Sequence, residues 1–204
     1  MHKKIHTLEG WLAHCERLHP HNIAAKVAIV VEHFRSEVAP LLQGKAKAMI
    51  VLGSRVEAIR WKLELDRHLK TIQYPIGTLV GFSGEVSDPE SGPDPFTEHS
   101  FELNPKLNKR DVGKAFHEAE FKLLVAANKF QTGFDEPLLC GMYVDKRLAG
   151  IQAVQTLSRL NRAYPGKDTT FVLDFVNDPD EVLAAFKQYY TTAELAGTSN
   201  PNLV

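Results

Sequence analysis

Five apolar runs of five to seven residues, 48–52, 78–82, 121–127, 140–144 and 170–175, punctuate this chain. Runs of that length are too short for buried helices and suit strands covered on both faces. Between them lie segments of helical periodicity, over 56–69, 111–120 and 154–160, and a closing helix is expected over 179–190. Strands alternating with helices predict an α/β layer with a mainly parallel sheet and right-handed crossovers. A further helix precedes the first strand: Val27, Val30, Val31 and Phe34 recur at helical spacing within 23–38, and Pro40 closes the segment.

The 204 residues suffice for one domain with a real core plus an extension. The expected division is a helical N-terminal extension over 1–44, the α/β domain over 45–190 and a polar tail over 191–204, which ends without a cap as if cut from something longer. A formal charge of -1 excludes a global attraction to nucleic acid, so any DNA contact must be a local patch. Cys15 and Cys140 lie far apart, which favours a reduced intracellular protein over a disulfide scaffold. No stretch approaches a membrane span, and the cytoplasm is the expected location. His2, His6, His14, His19 and His21 crowd the first segment beside Cys15, but their spacing fits no zinc pattern, and no metal site is expected.

Residues 155–167 read QTLSRLNRAYPGK. On a helix Gln155, Arg159 and Arg162 share one solvent-directed face, with Val154, Leu157 and Leu160 opposite. No acidic residue occurs between Lys146 and Lys167, and a pair of arginine forks left unneutralised calls for an anion. Elsewhere the first strand ends in Gly53-Ser54-Arg55 and opens a helix, so that backbone N–H groups and a hydroxyl face any passing phosphate. The second strand repeats the arrangement with Ser83 and Gly84. Asn128 to Pro137, NKFQTGFDEP, forms a loop at the third strand's carboxyl end, where open parallel sheets place their ligands. Asp135 and Glu136 are expected at its apex. From Glu85 to Lys109 four prolines interrupt any regular element, and a disordered or loosely packed loop is expected.

A nucleotide-binding α/β domain normally carries GxxxxGK followed by Ser or Thr. The Gly44-Lys45, Gly113-Lys114 and Gly166-Lys167 pairs lack both the upstream glycine and the following hydroxyl. The chain thus offers arginines suited to a triphosphate and no firm cradle of its own.

The Gln155, Arg159, Arg162 spacing resembles motif VI of superfamily-two helicases and translocases. The stretch from Asn128 to Asp178, together with KAMIVLGSR and FSGEV, resembles the restriction (R) subunit of type I restriction-modification enzymes, over roughly Ile23 to the end. The resemblance implies the second RecA-like motor domain of a multidomain, ATP-dependent double-stranded DNA translocase. Arg162 would then be the arginine finger and Arg159 its companion. Gln155, Gly133 and Asp135 would belong to the ATP site, and Ser54, Arg55, Ser83 and Gly84 to turns that touch the DNA backbone. Many relatives have Thr or Ser where Ala127 stands, so Asn128 or Lys129 would take over that phosphate contact. ATP and Mg2+ would be held mainly by a first motor domain outside this chain. Methyltransferase and specificity subunits are the implied partners, and this chain alone is expected to be inactive. Two other readings stay open: the equivalent domain of another superfamily-two helicase, and a non-catalytic module that binds DNA or protein.

Overall fold

The computed structural model describes residues 16–130 and 133–187. Its centre is a five-stranded sheet, β1 (Lys47–Leu52), β2 (Gly77–Gly81), β3 (Phe121–Ala127), β4 (Leu139–Asp145) and β5 (Phe171–Asp174), in the order β2-β3-β1-β4-β5. Every pairing is parallel. The three central strands are buried almost without interruption, which is why they read in sequence as continuous apolar runs.

Alternate residues of each strand serve different layers, as the two-residue period of a strand requires. Ala48, Ile50, Leu52, Leu123 and Val125 pack against α1 (Pro20–His33) and α2 (Arg55–Thr71), with Trp61 and Leu65 filling the layer. Met49, Val51, Leu124, Ala126 and Val144 pack on the other face, under α3 (Val112–Phe116), α4 (Ile151–Leu157) and α5 (179–187). The result is a three-layer α/β arrangement, a wholly parallel sheet covered by helices on both faces, as the alternation of strands and helices predicts. α1 belongs to the same core: Ile23, Val27, Val30 and Val31 are buried. A single π turn, Phe34–Val38, follows it and keeps both Phe34 and Val38 on the buried side.

Two expectations fail here. The helix expected over 111–120 spans only Val112–Phe116, because Phe116 turns into the core and 117–120 form a turn that leads directly into β3. Residues 85–109 contain little regular structure and much of the segment is exposed, but it is anchored to the domain at several points. Val86 and Phe96 form an antiparallel bridge, and Phe96, Leu103 and Leu107 are buried. This segment covers the outer edge of β2. Asn104 acts as a strand in miniature: its Oδ1 accepts from the Val80 N–H at 3.0 Å, and its Nδ2 donates to the Val80 carbonyl at 2.8 Å. The Phe82 N–H donates to Glu98 at 3.1 Å. An unpaired strand edge invites association, and here side chains satisfy it. His2, His6, His14, Cys15, residues 188–190 and the 191–204 tail lie outside the described residues.

Candidate arginine and carboxyl-edge sites

α4 runs as a helix only to Leu157; Ser158–Asn161 tighten into a 3-10 turn, and Arg162 leaves it in an extended conformation (φ -73, ψ 124). Val154, Leu157 and Leu160 are buried, as the periodicity required. Gln155, Arg159 and Arg162 therefore do not share one helical face. Gln155 is exposed on α4, one turn before Arg159. Arg159 is half-buried and donates to the Phe134 carbonyl at 2.9 Å. Arg162 extends past the turn and its Nε pairs with Asp135 Oδ1 at 2.9 Å. The acid-free stretch thus finds its carboxylate on another segment. Burial first, and next the Arg162 charge, lower the Arg159 pKa, with Asp135 opposing. The structure brings Arg159, Arg162, Gly133 and Asp135 together, and Gly133 supplies the positive φ of +70 at which the loop turns.

The expected position of this loop needs correction. It leaves the carboxyl end of β3, crosses the α3 and α4 face with Phe130 and Phe134, whose ring centroids lie 4.9 Å apart, and reaches the amino-terminal end of the sheet. There the Leu138 carbonyl accepts from the N–H of Lys47, the first residue of β1. Glu136 is not at an apex: its side chain is only 2% exposed, facing a fully buried Lys47 at 4.0 Å and His117 at 2.9 Å. Lys47 also donates to the carbonyls of Phe116 and Glu118. Burial lowers the Lys47 pKa, and Glu136 opposes that. The arginine cluster is therefore separate from the carboxyl edge.

At the carboxyl edge, Gly53, Ser54, Arg55, Ser83, Ala127 and Asn128 line an open cleft of about 300 Å³. Ser54 and Glu57 form a reciprocal capping box: the Glu57 N–H donates to Ser54 Oγ at 3.2 Å, and the Ser54 N–H to Glu57 Oε2 at 2.8 Å. The Ser54 N–H is thus not available to a phosphate as expected. Arg55 is exposed and ties the two turns together through the carbonyls of Ser83 (3.2 Å) and Glu85 (3.0 Å). Ser83 and Gly84 are exposed beside it. Asn128 sits in the left-handed region, donates to the Gly53 carbonyl at 3.3 Å and accepts from Lys146 at 2.8 Å. Lys129 is neutralised by Glu98 at 2.7 Å, so its expected phosphate contact has a competitor within the chain. Ala127 is buried at the cleft and offers a methyl group in place of a hydroxyl.

Sequence reasoning passed over the charges that frame this edge. Two carboxylates, Glu57 and Asp145, are buried there; Arg17 meets the first at 3.2 Å and Lys26 the second at 2.8 Å. Lys146 lies near Glu57, and burial lowers its pKa. Residues so distant in sequence give no local pattern to find.

The donor set fits the anionic end of a nucleotide in part. Arg159 and Arg162 are suited to phosphate oxygens. Among the described residues no three His, Cys, Asp or Glu side chains converge as a metal site.

Residues 82–177 match the family model for type I restriction enzyme subunit R domain 3. The chain is 30% identical over 145 residues to the type I restriction enzyme MjaVIIP endonuclease subunit of Methanocaldococcus jannaschii, which covers 65% of this chain and 13% of that protein. It is 28% identical over 170 residues to the type I restriction enzyme HindI endonuclease subunit of Haemophilus influenzae, covering 78% and 15% respectively. The chain thus spans only 13% to 15% of the length of these relatives. Among solved structures, the C-terminal domain of the DEAD-box protein Dbp5 is 16% identical with a TM-score of 0.45, covering 82% of this chain and 79% of that one. Over residues 82–177 the chain is thus similar to domain 3 of the type I restriction enzyme R subunit.

Proposed function

We propose that this chain is the arginine-supplying half of a composite ATP site in an ATP-dependent double-stranded DNA translocase, acting as the second motor domain of a type I restriction enzyme R subunit. The observation that carries this reading is the meeting of Arg159 and Arg162 with the 133–135 loop, which leaves the Arg162 side chain half exposed and paired with an exposed carboxylate. Side-chain exposures of 50% for Arg162 and 65% for Asp135 mean that water screens their pair. Such pairs are worth about 0–1 kcal/mol, so exchanging Asp135 for a phosphate oxygen costs little.

Bound ATP with Mg2+ would supply the phosphoryl group to be transferred, held mainly by a first motor domain. This chain's contribution is electrostatic. Arg162 would place its fork on the transferred phosphoryl oxygens as their charge develops, and Arg159 would add a second positive charge beside it. Asp135 would hold the fork in register until then. At the carboxyl edge, Arg55, Ser83, Gly84 and Asn128 would grip the DNA backbone without reading sequence.

The test is duplex-stimulated ATP hydrolysis by the full-length subunit, wild type against Arg162→Ala, with ATP binding followed in parallel. The expected result is a loss of about 10³- to 10⁵-fold in turnover, the range of arginine fingers, with binding largely kept. Little change would leave the 133–162 cluster as a docking surface, and the binding-module reading would lead.

A further inference from the structure

The Gly166-Lys167 pair lacks the surroundings of a phosphate loop, and the fold gives it another role. Tyr164 to Lys167 form a tight turn in which the Lys167 N–H donates to the Tyr164 carbonyl at 3.0 Å and Gly166 has φ +78. Pro165 and Gly166 fill the two central positions as a type II turn requires, Pro fixing the first φ and Gly accepting the positive second. The turn sends the lysine side chain back toward the arginine cluster. Its Nζ donates to the Arg162 carbonyl at 3.0 Å and to the Pro137 carbonyl at 3.0 Å.

One ammonium therefore joins the backbone of Arg162 to the loop that carries Asp135. On the other side of Asp135, Arg159 holds the Phe134 carbonyl at 2.9 Å. We propose that Lys167 is a positioning residue for Arg162: its ammonium locks the backbone of the finger to the 134–137 loop and so fixes where the guanidinium points. This inference rests on the arginine-finger reading above. Arg162 has left the helix and half its side chain is exposed, so neither helical hydrogen bonding nor burial orients it. Its carboxylate partner is the group that a phosphate would displace. The two carbonyls held by Lys167 are untouched by that exchange, so the hold persists when it is needed. Burial lowers the Lys167 pKa, and the Glu136 carboxylate opposes that.

The test uses the full-length subunit with duplex DNA, measuring ATP turnover and equilibrium ATP binding for wild type, Lys167→Met, Lys167→Arg, Arg162→Ala and the Arg162→Ala/Lys167→Met double variant. Low rates are read with enzyme in excess over ATP. Because misplacing a reacting group by about 1 Å can cost on the order of 10²-fold, Lys167→Met is expected to lower kcat about 10- to 100-fold, with ATP affinity changed by less than about threefold. Lys167→Arg, which keeps donors for both carbonyls, should recover most of the loss. In the Arg162→Ala background the same Lys167→Met change should cost no more than about twofold, because two residues acting through one guanidinium are not additive. An equal loss in both backgrounds is what general destabilisation gives, and it would overturn the proposal. So would wild-type turnover in Lys167→Met while Arg162→Ala is crippled, which would leave the finger reading standing. Wild-type turnover in Arg162→Ala would remove the finger reading and this inference with it.

Discussion

Asp135 and Glu136 are adjacent acids with opposite physical standing. Asp135 faces Arg162 in water, whereas Glu136 compensates a fully buried lysine at the floor of the sheet. Breaking a screened pair costs about 0–1 kcal/mol, but leaving a buried charge uncompensated costs roughly 3–5 kcal/mol. Asp135→Asn should therefore leave the urea midpoint of this chain nearly unchanged, and Glu136→Gln should lower its unfolding free energy by roughly 3 kcal/mol, toward the low end because Lys47 keeps its carbonyl partners. Comparable losses in the two variants would mean that the Lys47–Glu136 contact contributes little. The two acids look alike in sequence because what separates them, the burial of Lys47 beneath α3, is set by a lysine 89 residues upstream and a helix at least 20 residues upstream.

Among the elements, the 85–109 segment departs furthest from its sequence. Its prolines rule out helix and strand, yet Arg60 on α2 clamps Asp88 through two hydrogen bonds of 2.8 and 2.7 Å, and Ser91 adds a third at 2.6 Å. The Arg60 hydrogen bond holds the Asp88 carboxyl below the ordinary aspartate range, against the opposing effect of burial. A carboxylate with a depressed folded pKa contributes stability above the unfolded value, about 3.9, and that stability is lost as pH falls through the folded pKa. Acid should therefore loosen this cover: protection of the Val86, Ser91, Gly92 and Phe96 amides should decline below about pH 4 in hydrogen exchange. Arg60→Ala should show the same loss already at neutral pH. Unchanged protection in that variant would mean that the clamp does not hold the segment. The central strands were legible because burial on both faces writes itself into consecutive residues, and α2 because a helical apolar pattern over 56–69 follows the Gly53-Ser54-Arg55 turn. The order of 85–109 was not, since its partners stand 24 and 28 residues away in Val80 and Arg60. The arginines were legible as a charge pattern, but their geometry was not: α4 tightens after Leu157, and periodicity assumes a helix that continues.

At the scale of the molecule, the decisive contrast lies between the arginines and the three Gly-Lys pairs. Gly113-Lys114 lies inside α3, where the Lys114 N–H is taken by the Asp111 cap at 2.9 Å. Lys45 closes a backbone turn onto Leu42 at 3.2 Å, and Lys167 is committed to two carbonyls. None of the three presents the run of free backbone N–H groups that cradles phosphates. Stabilising a phosphoryl transition state requires donors fixed on several sides of the transferred group, and positive charge from one side cannot orient a nucleotide. This chain by itself should therefore bind ATP weakly and release no phosphate above background, with or without duplex DNA, although its fold is intact. Phosphate release from the purified chain is the direct measurement. Turnover at an ordinary enzymic rate, about 1 per second or more, would mean that a complete site exists within these residues and that the half-site interpretation of Arg159 and Arg162 is wrong.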